Sequence, residues 1–326
     1  MILAGDIGGT KINLALYAVD GRRLLKSASA TLPSREFSGL VEALASFLMS
    51  PRPPIEAAGF GIAGPLRGGR VHTTNLPWIV NGDELSRFLG ISSVRLLNDV
   101  EAMAWGIEML DAEDLASIQE GEADAEGNAV LVAAGTGLGM AILFRHGGRL
   151  HPTATEGGHA DFAATDAEMD AFLPWMRERQ GHVSVERIGS GMGLANMYQF
   201  FHDPAHGGEM PHAPEGADLG ATVSREAARG TCGGCGRAFG MFLRCLGAEA
   251  GNMALKTGAT SGVYLGGGVA AKNVDALCDG RFLRAFTDKG RFRDYMEKIP
   301  VRVILDQTAP LNGAALAAAR AARMVP

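Results

Sequence analysis

The sequence predicts an α/β fold in which one structural unit occurs twice, giving two domains. Two observations carry this expectation: an internal repeat, and a recurring order of apolar strands, glycine-rich turns and helices. Residues 9–24 (GTKINLALYAVDGRRL) match residues 135–150 (GTGLGMAILFRHGGRL) at a constant offset of 126 residues. Gly9, Thr10, Ala15, Gly21, Arg23 and Leu24 are identical to Gly135, Thr136, Ala141, Gly147, Arg149 and Leu150. Ile12, Leu14 and Leu16 keep their apolar character in Leu138, Met140 and Ile142. Six identities in sixteen positions exceed the roughly one that ordinary residue frequencies produce. Before each copy runs an apolar strand, ILAGD and AVLVAA. Two such Gly-Thr turns facing each other would surround a phosphate chain with backbone N–H groups.

In the first unit, Ile2–Asp6, Ile12–Ala18 and Arg23–Ser29 read as three strands, with Asp20-Gly21 turning the second hairpin. Ser38–Ser50 carries Leu40, Val41, Leu44, Phe47 and Leu48 at helical spacing, and the prolines of residues 51–54 stop it. Ala57–Ile62 is an apolar strand running into the turn Ala63-Gly64-Pro65. A helix, the strand Val94–Leu97 and a helix over Asp99–Leu110 complete the unit.

The second unit repeats this plan with insertions. Ala129–Ala134, Leu138–Phe144 and Arg149–Thr153 are its three strands. A helical, loop-rich excursion follows, with a surface loop over Phe201–Gly220. Arg237–Leu255 reads as a buried helix, Gly262–Leu265 as a strand, and Gly266-Gly267-Gly268 as the lead into another helix. Val301–Leu305 and Leu311–Arg323 close the chain as strand and helix. The predicted domains are residues 1–108 plus 304–326 and residues 109–303. The last helix is expected to pack back on the first unit, with the ligand cleft between units.

At 326 residues the chain is long enough for two cores. A net charge of −6 argues against a nucleic-acid partner. No apolar stretch approaches a membrane span, since Arg320 and Arg323 interrupt the Ala-rich end, so no membrane partner is expected. The N-terminus opens on a strand, without a signal peptide's charged region. Four cysteines do not suggest a disulfide framework. Cytoplasmic residence is the expectation.

Gly5-Asp6-Ile7-Gly8-Gly9-Thr10 sets a carboxylate at a strand end and glycines in the turn that follows. Thr10 and Lys11 add a hydroxyl and a cation suited to phosphate. Alone, this is an ordinary glycine hairpin; the second turn, Gly135-Thr136-Gly137-Leu138-Gly139, tips it towards phosphate. At the repeat offset the counterpart of Asp6 is Val132, so the carboxylate is singular, placed to hold Mg2+ through water. No GxxxxGK[ST] pattern is present. Asn98-Asp99 ends an apolar strand, where α/β sheets place ligand groups, yet it equally suits a helix N-cap. Glu156-Gly157-Gly158-His159, Thr74-Asn75-Leu76-Pro77-Trp78 and Glu186 together offer the donors and acceptors a polyhydroxylated ligand needs. Cys232-Gly-Gly-Cys235 has no second CxxC and no nearby Cys/His pair to complete a zinc site, so buried thiols are expected and no zinc.

In this order, Asp6-Ile-Gly-Gly-Thr10, Leu97-Asn-Asp99, Gly135-Thr-Gly-Leu-Gly139, Glu156-Gly-Gly-His159, His182-Val-Ser-Val-Glu186, Gly266-Gly-Gly268 and Asp288-Lys-Gly-Arg-Phe292 resemble the bacterial glucokinases, within the ATPase superfamily of actin, sugar kinases and heat-shock ATPases. The resemblance implies a duplicated ribonuclease-H-like fold, with ATP and glucose in the interdomain cleft and a homodimer as the assembly. It implies Asp99 as general base at the sugar 6-hydroxyl, with Asn75, Asn98, Asp99, Glu156, His159 and Glu186 binding the sugar. It further implies that the Asp6–Thr10 turn (Gly8, Gly9 and Thr10, with Lys11) and the Gly135–Gly139 turn hold phosphates, and that Gly266, Gly267 and Gly268 line the adenosine site. The role of Lys11 stays open, because that position varies among relatives. The related repressor/kinase group carries a cysteine-rich zinc motif beside its sugar-binding histidine. Here the cysteine pair lies far downstream, which points to the zinc-free branch. A kinase for another hexose (fructose, mannose or an amino sugar), a donor other than ATP, and a non-catalytic sugar sensor are the alternatives.

Overall fold

The computed structural model describes the chain except residues 49–52, 207, 209–212, 214–216 and 326. The chain divides into two compact units, Met1–Ala112 with Asp306–Pro326, and Glu113–Leu305.

The first unit runs β1 (Ile2–Ile7), β2 (Lys11–Asp20), β3 (Arg23–Pro33), α1 (Leu40–Phe47), β4 (Ala57–Ile62), β5 (Leu66–Arg67), β6 (Arg70–His72), β7 (Ile79–Asn81), α2 (Gly82–Leu89), β8 (Val94–Asn98) and α3 (Asp99–Gly106). Its main sheet has the order β3-β2-β1-β4-β8, and β5-β6-β7 form a separate small sheet. The second unit runs β9 (Leu115–Gln119), β10 (Ala129–Ala134), β11 (Leu138–His146), β12 (Arg149–Thr155), α4 (Ala167–Gln180), α5 (Gly191–Phe201), α6 (Leu219–Arg229), α7 (Gly233–Thr257), β13 (Gly262–Gly266), α8 (Gly267–Lys272), α9 (Val274–Leu277), α10 (Arg281–Thr287), α11 (Arg293–Glu297) and β14 (Val301–Ile304). Its sheet has the order β12-β11-β10-β13-β14-β9. The chain ends in α12 (Ala309–Ala321), which packs on β1, β4 and α3 of the first unit.

In both units an antiparallel hairpin leads, and the leading strand then pairs in parallel with a later strand, β1 with β4 and β10 with β13. Covering both faces of the sheet makes the central strands apolar throughout. Leu3 and Ile7 of β1 enter one core with Phe60, Leu44, Leu85 and Trp78. Ile2 and Ala4 enter the other with Trp105, Leu311 and Ala314. Each such side chain larger than alanine contributes about 1.5–3 kcal/mol when fully buried. In the second unit Val130, Val132 and Leu265 join Phe172, Phe201 and Phe242 in one core.

Strand pairing refines the comparison between copies. Ile7 pairs with Ile12 across the first turn, and Ala134 with Leu138 across the second. The first turn is therefore one residue longer. Asp6 pairs with Asn13, and the matching pair is Ala133 with Gly139. The structural counterpart of Asp6 is thus Ala133 rather than Val132, because a fixed sequence offset ignores the extra turn residue. Asp6 remains singular.

Other expectations shift at their edges. The helix expected over Asp99–Leu110 ends at Gly106, where the backbone of Ala309 leaves no room for a Cβ, and tightens into a 3-10 turn over Ile107–Met109. The helix expected over Ser38–Ser50 spans Leu40–Phe47, and its last two expected residues and the first of the stopping prolines lie outside the described residues. The loop expected over Phe201–Gly220 begins as the end of α5, makes a 3-10 turn at Pro204–His206 and ends inside α6; most of its middle lies outside the described residues. No described helix is long and apolar enough to cross a membrane.

Candidate active site

The first Gly-Thr turn is held from outside its own strands. Gly8 donates its N–H to the Lys11 carbonyl at 2.9 Å, the buried Ser34 hydroxyl donates to the Gly8 carbonyl at 2.7 Å, and the Ser34 N–H donates to the Thr10 carbonyl at 3.0 Å. The carbonyls of Gly8, Thr10 and Lys11 are occupied, while among the described residues the N–H groups of Gly9 and Thr10 donate to no protein acceptor. Thr10 and Lys11 are exposed. The second turn shows the same division. Gly135 donates to the Gly137 carbonyl at 2.9 Å, and the carbonyls of Gly135 and Thr136 accept from Gly191 and Met192 at the start of α5. Among the described residues the N–H groups of Thr136 and Gly137 stay without an acceptor. Two adjacent unused donors in each turn make a concavity suited to an anion.

Asp6 lies at the end of β1 and accepts a hydrogen bond at 3.0 Å from the Asn13 amide, whose oxygen in turn accepts from the Thr31 hydroxyl at 2.9 Å. Burial pushes the Asp6 carboxyl above its usual range; the Asn13 amide pulls it down, and the Asp99 carboxylate adds to the rise. Asp6 and Asp99 therefore feel each other. Asp99 is the first residue of α3 and follows the carboxyl end of β8. The helix dipole favours negative charge at that position. The Asn98 side-chain oxygen accepts from the N–H groups of Val100 at 2.9 Å and Glu101 at 3.4 Å, so Asn98 is the N-cap. What Asn98 can still offer a ligand is its amide NH2. Asn75 is exposed and packs against the first turn so closely that a Cβ at Gly9 would stand 2.5 Å from the Asn75 Cβ. Its loop is shaped by the Thr73 hydroxyl, which donates to the carbonyls of Leu76 at 2.6 Å and Trp78 at 3.2 Å.

In the second unit, residues 158–162 and 183–186 run together as an irregular pair. The Phe162 N–H donates to the Val183 carbonyl, that of Val185 to Ala160, and that of Glu186 to Gly158. This pairing brings Glu156, His159 and Glu186 to one place. His159 Nε2 lies 3.8 Å from Glu156 Oε2, and its Nδ1 lies 3.9 Å from Glu186 Oε1. The other Glu186 oxygen accepts from the Leu138 N–H at 3.0 Å. It sits where a Cβ on Gly137 would go, so any side chain there displaces the carboxylate. Glu186 thus touches both the His159 cluster and the second turn.

A cavity of about 1030 Å³ lies in the second unit. Gly135 and Thr136 line it from the turn, Gly191 and Met192 from α5, Ser224 and Arg225 from α6, and Gly268 and Lys272 from α8. It unites the second turn with Gly268. Gly137, Gly139, Gly266 and Gly267 do not line it, and Gly267 opens α8 with φ of 86°. Ser34, Asn13, Lys272 and Arg225 were not singled out by the sequence. Asn13 carried a signal, as the one polar residue in the Ile12–Leu16 run.

Sequence spacing left Cys232 and Cys235 without a histidine. The fold supplies one: His202 Nε2 stands 3.2 Å from Cys232 Sγ, and the three donor atoms all lie within 4.8 Å of one another. No second Cys/His pair stands near in sequence, but one histidine reaches the two cysteines from the end of a preceding helix. All four cysteines are free of disulfides.

A doubled α/β unit with matched Gly-Thr turns belongs to the actin-like ATPase class. Within that class the relatives are specific. A family model described as Glucokinase matches residues 3–321. A glucokinase of Nostoc sp. is 35% identical over 339 aligned positions, covering 98% of this chain and 99% of that protein. The crystal structure of a glucokinase from an Antarctic psychrotroph superposes with a TM-score of 0.86 at 30% identity, covering 98% of both chains. A glucokinase from Streptomyces griseus, solved with glucose and AMPPNP, has a TM-score of 0.62 at 23% identity over 98% of this chain and 99% of that one. The chain belongs to the glucokinase family.

Proposed function

We propose that this protein transfers the terminal phosphoryl group of ATP to the 6-hydroxyl of glucose. Membership of the glucokinase family supports the reaction, and one observation supports the assignment of roles within it: Asp99 opens α3 within electrostatic reach of the half-buried Asp6 carboxylate. In this reading Asp99 is the general base. It orients the sugar hydroxyl and accepts its proton as the oxygen attacks phosphorus in line, a contribution typically of about 10²–10⁴ in rate.

The unused N–H groups of Gly9 and Thr10, and of Thr136 and Gly137, are the donors for phosphate oxygens. Gly135, Gly139, Gly8 and Lys11 complete the two turns. Asp6, a hard oxygen donor held in place by Asn13, fits a Mg2+ ion bound through water. Such an ion supplies neutralisation of phosphate charge. Glu156, His159, Glu186, Asn75 and Asn98 are the residues that hold the sugar hydroxyls. The cavity bordered by Gly268 takes the adenosine, with Gly266 and Gly267 setting the turn behind it. Residues 1–108 with 304–326 and residues 109–303 act as the two domains, assembled as a homodimer in the cytoplasm, a compartment that suits unpaired cysteines.

The test is ADP release with Mg2+ and ATP across glucose, fructose, mannose and amino sugars. The expected result is the highest kcat/KM with glucose. A higher value with another hexose reassigns the substrate, and no release with any sugar removes the kinase reading. Replacing ATP by ADP or polyphosphate tests the donor.

A further inference from the structure

We propose that His202, Cys232 and Cys235 form a zinc site that staples the end of α5 to the start of α7 in the second unit. His202 is the residue that ends α5, Cys232 is the N-cap of α7, and Cys235 lies in the first turn of that helix. Their three donor atoms already cluster within 4.8 Å. With Zn–S near 2.3 Å and Zn–N near 2.0–2.1 Å, tetrahedral donors on one ion stand roughly 3.5–3.8 Å apart. Small side-chain adjustments reach that arrangement.

Three features prepare the histidine for a metal. Its Nδ1 lies 2.7 Å from the Tyr198 carbonyl oxygen, which can only accept, so Nδ1 carries the proton and Nε2 turns its lone pair to the sulfurs. Metal-binding imidazoles are oriented in this way by a partner on their second nitrogen. The ring is buried, 4% exposed, and lies against Tyr198 with centroids 4.0 Å apart, which fixes its position. Between the cysteines, Gly234 makes room for it: a Cβ there would stand 2.9 Å from the His202 Cε1 and 3.0 Å from Nε2. A disulfide between the two cysteines would require none of these features.

The donor set selects the ion. Two thiolates and an imidazole suit zinc, while magnesium takes oxygen ligands. Cys232 and Cys235 sit at the start of α7, a 25-residue helix whose dipole favours negative charge, although burial and the neighbouring Cys232 push the metal-free Cys235 thiol up to about 12. Cys232 is only half-buried, and a water molecule would complete the tetrahedron. Between His202 and Cys232 the chain forms α6, one wall of the large cavity. The staple therefore braces that wall without touching Glu156, His159 or Glu186.

The experiment uses the full chain, kept reduced, stripped with a chelator and titrated with Zn2+ alone, then separately with Co2+. The expected result is one zinc per chain, a rise in Tm on binding, and a thiolate-to-cobalt charge-transfer band with tetrahedral ligand-field absorption. Cys232→Ser and Cys235→Ser each weaken binding about tenfold or more, and Cys278→Ser, at an exposed cysteine, leaves it unchanged. The cobalt spectrum of the unaltered chain decides the matter even where a variant fails to fold. Absence of zinc binding, a cobalt spectrum without thiolate ligation, or binding that survives both substitutions overturns the site. Each of those outcomes leaves a plain thiol–imidazole hydrogen bond.

Discussion

The two Gly-Thr turns share strand order, sequence and a pair of unused N–H donors, but each is tied to a different carboxylate. The first follows Asp6, which arrives on β1 itself, one step from the turn. The second is touched by Glu186, which arrives from a separate segment and hydrogen-bonds to the turn's Leu138 N–H. Duplication thus supplied two equivalent turns with unused N–H donors, and the added groups made them unequal. In the first, charge is built into the strand and is costly to ionise. In the second, charge is a removable attachment that also reaches His159.

This contrast can be broken from either side. The largest effect is expected for Asp99→Asn, which keeps the shape and removes the base: kcat should fall by about 10²–10⁴ while sugar affinity, measured by titration, changes little. Near-normal turnover would exclude Asp99 as the base.

Asp6→Asn separates activity from stability. Turnover should drop by about tenfold or more as phosphate-bound magnesium loses its anchor. Stability should move the other way. The Asp6 carboxyl titrates higher in the folded chain than in the unfolded one, so its ionisation at neutral pH works against folding. The variant should therefore have the higher Tm at pH 7. That advantage should shrink as pH falls through the folded-state value and vanish below the unfolded value of about 3.9. An unchanged difference across that range would show that Asp6 does not titrate as stated.

Gly137→Ala pushes a methyl group into the Glu186 carboxylate and should raise KM for ATP by about tenfold through a displaced turn. Gly9→Ala makes the matching intrusion on Asn75 in the first unit. Comparing KM for ATP and for sugar in these two variants shows which turn is coupled to which ligand. The smallest effect is expected for Glu186→Gln. The amide oxygen can still accept from Leu138, so only charge beside His159 is lost, and KM for the sugar should rise severalfold, about 1 kcal/mol.

Much of the architecture was readable because the central strands are covered on both faces. Ala57–Ile62 and Ala129–Ala134 are uniformly apolar, and both match the structure residue for residue. The short strands β5 to β7 were not readable: Leu66-Arg67 is exposed, and only Val71 and Val80 of that sheet are buried. Likewise β9 joins the sheet only at its edge, against β14. At the site, residues next to glycine turns announced themselves. Ser34 did not, because a serine buried under a turn looks like any serine in the sequence. His202 was hidden by distance, thirty residues before the cysteine it meets. Glu186 was visible as an acid in an apolar run, but its hold on the second turn depends on the pairing of residues 158–162 with 183–186.

The helix α12 gives the protein a particular order of assembly. It covers the face of β1 that carries Ile2 and Ala4, and its Asn312 accepts a hydrogen bond from Tyr17, a residue 295 positions earlier. On a ribosome the first hundred residues must wait for the last twenty before that face is covered. Glu113–Leu305 is one unbroken stretch of chain and has no such wait. The unit made first is therefore finished last, and a chain cut short before Ala309 leaves one apolar face of the sheet covered by little besides α3, a natural target for chaperones and for aggregation.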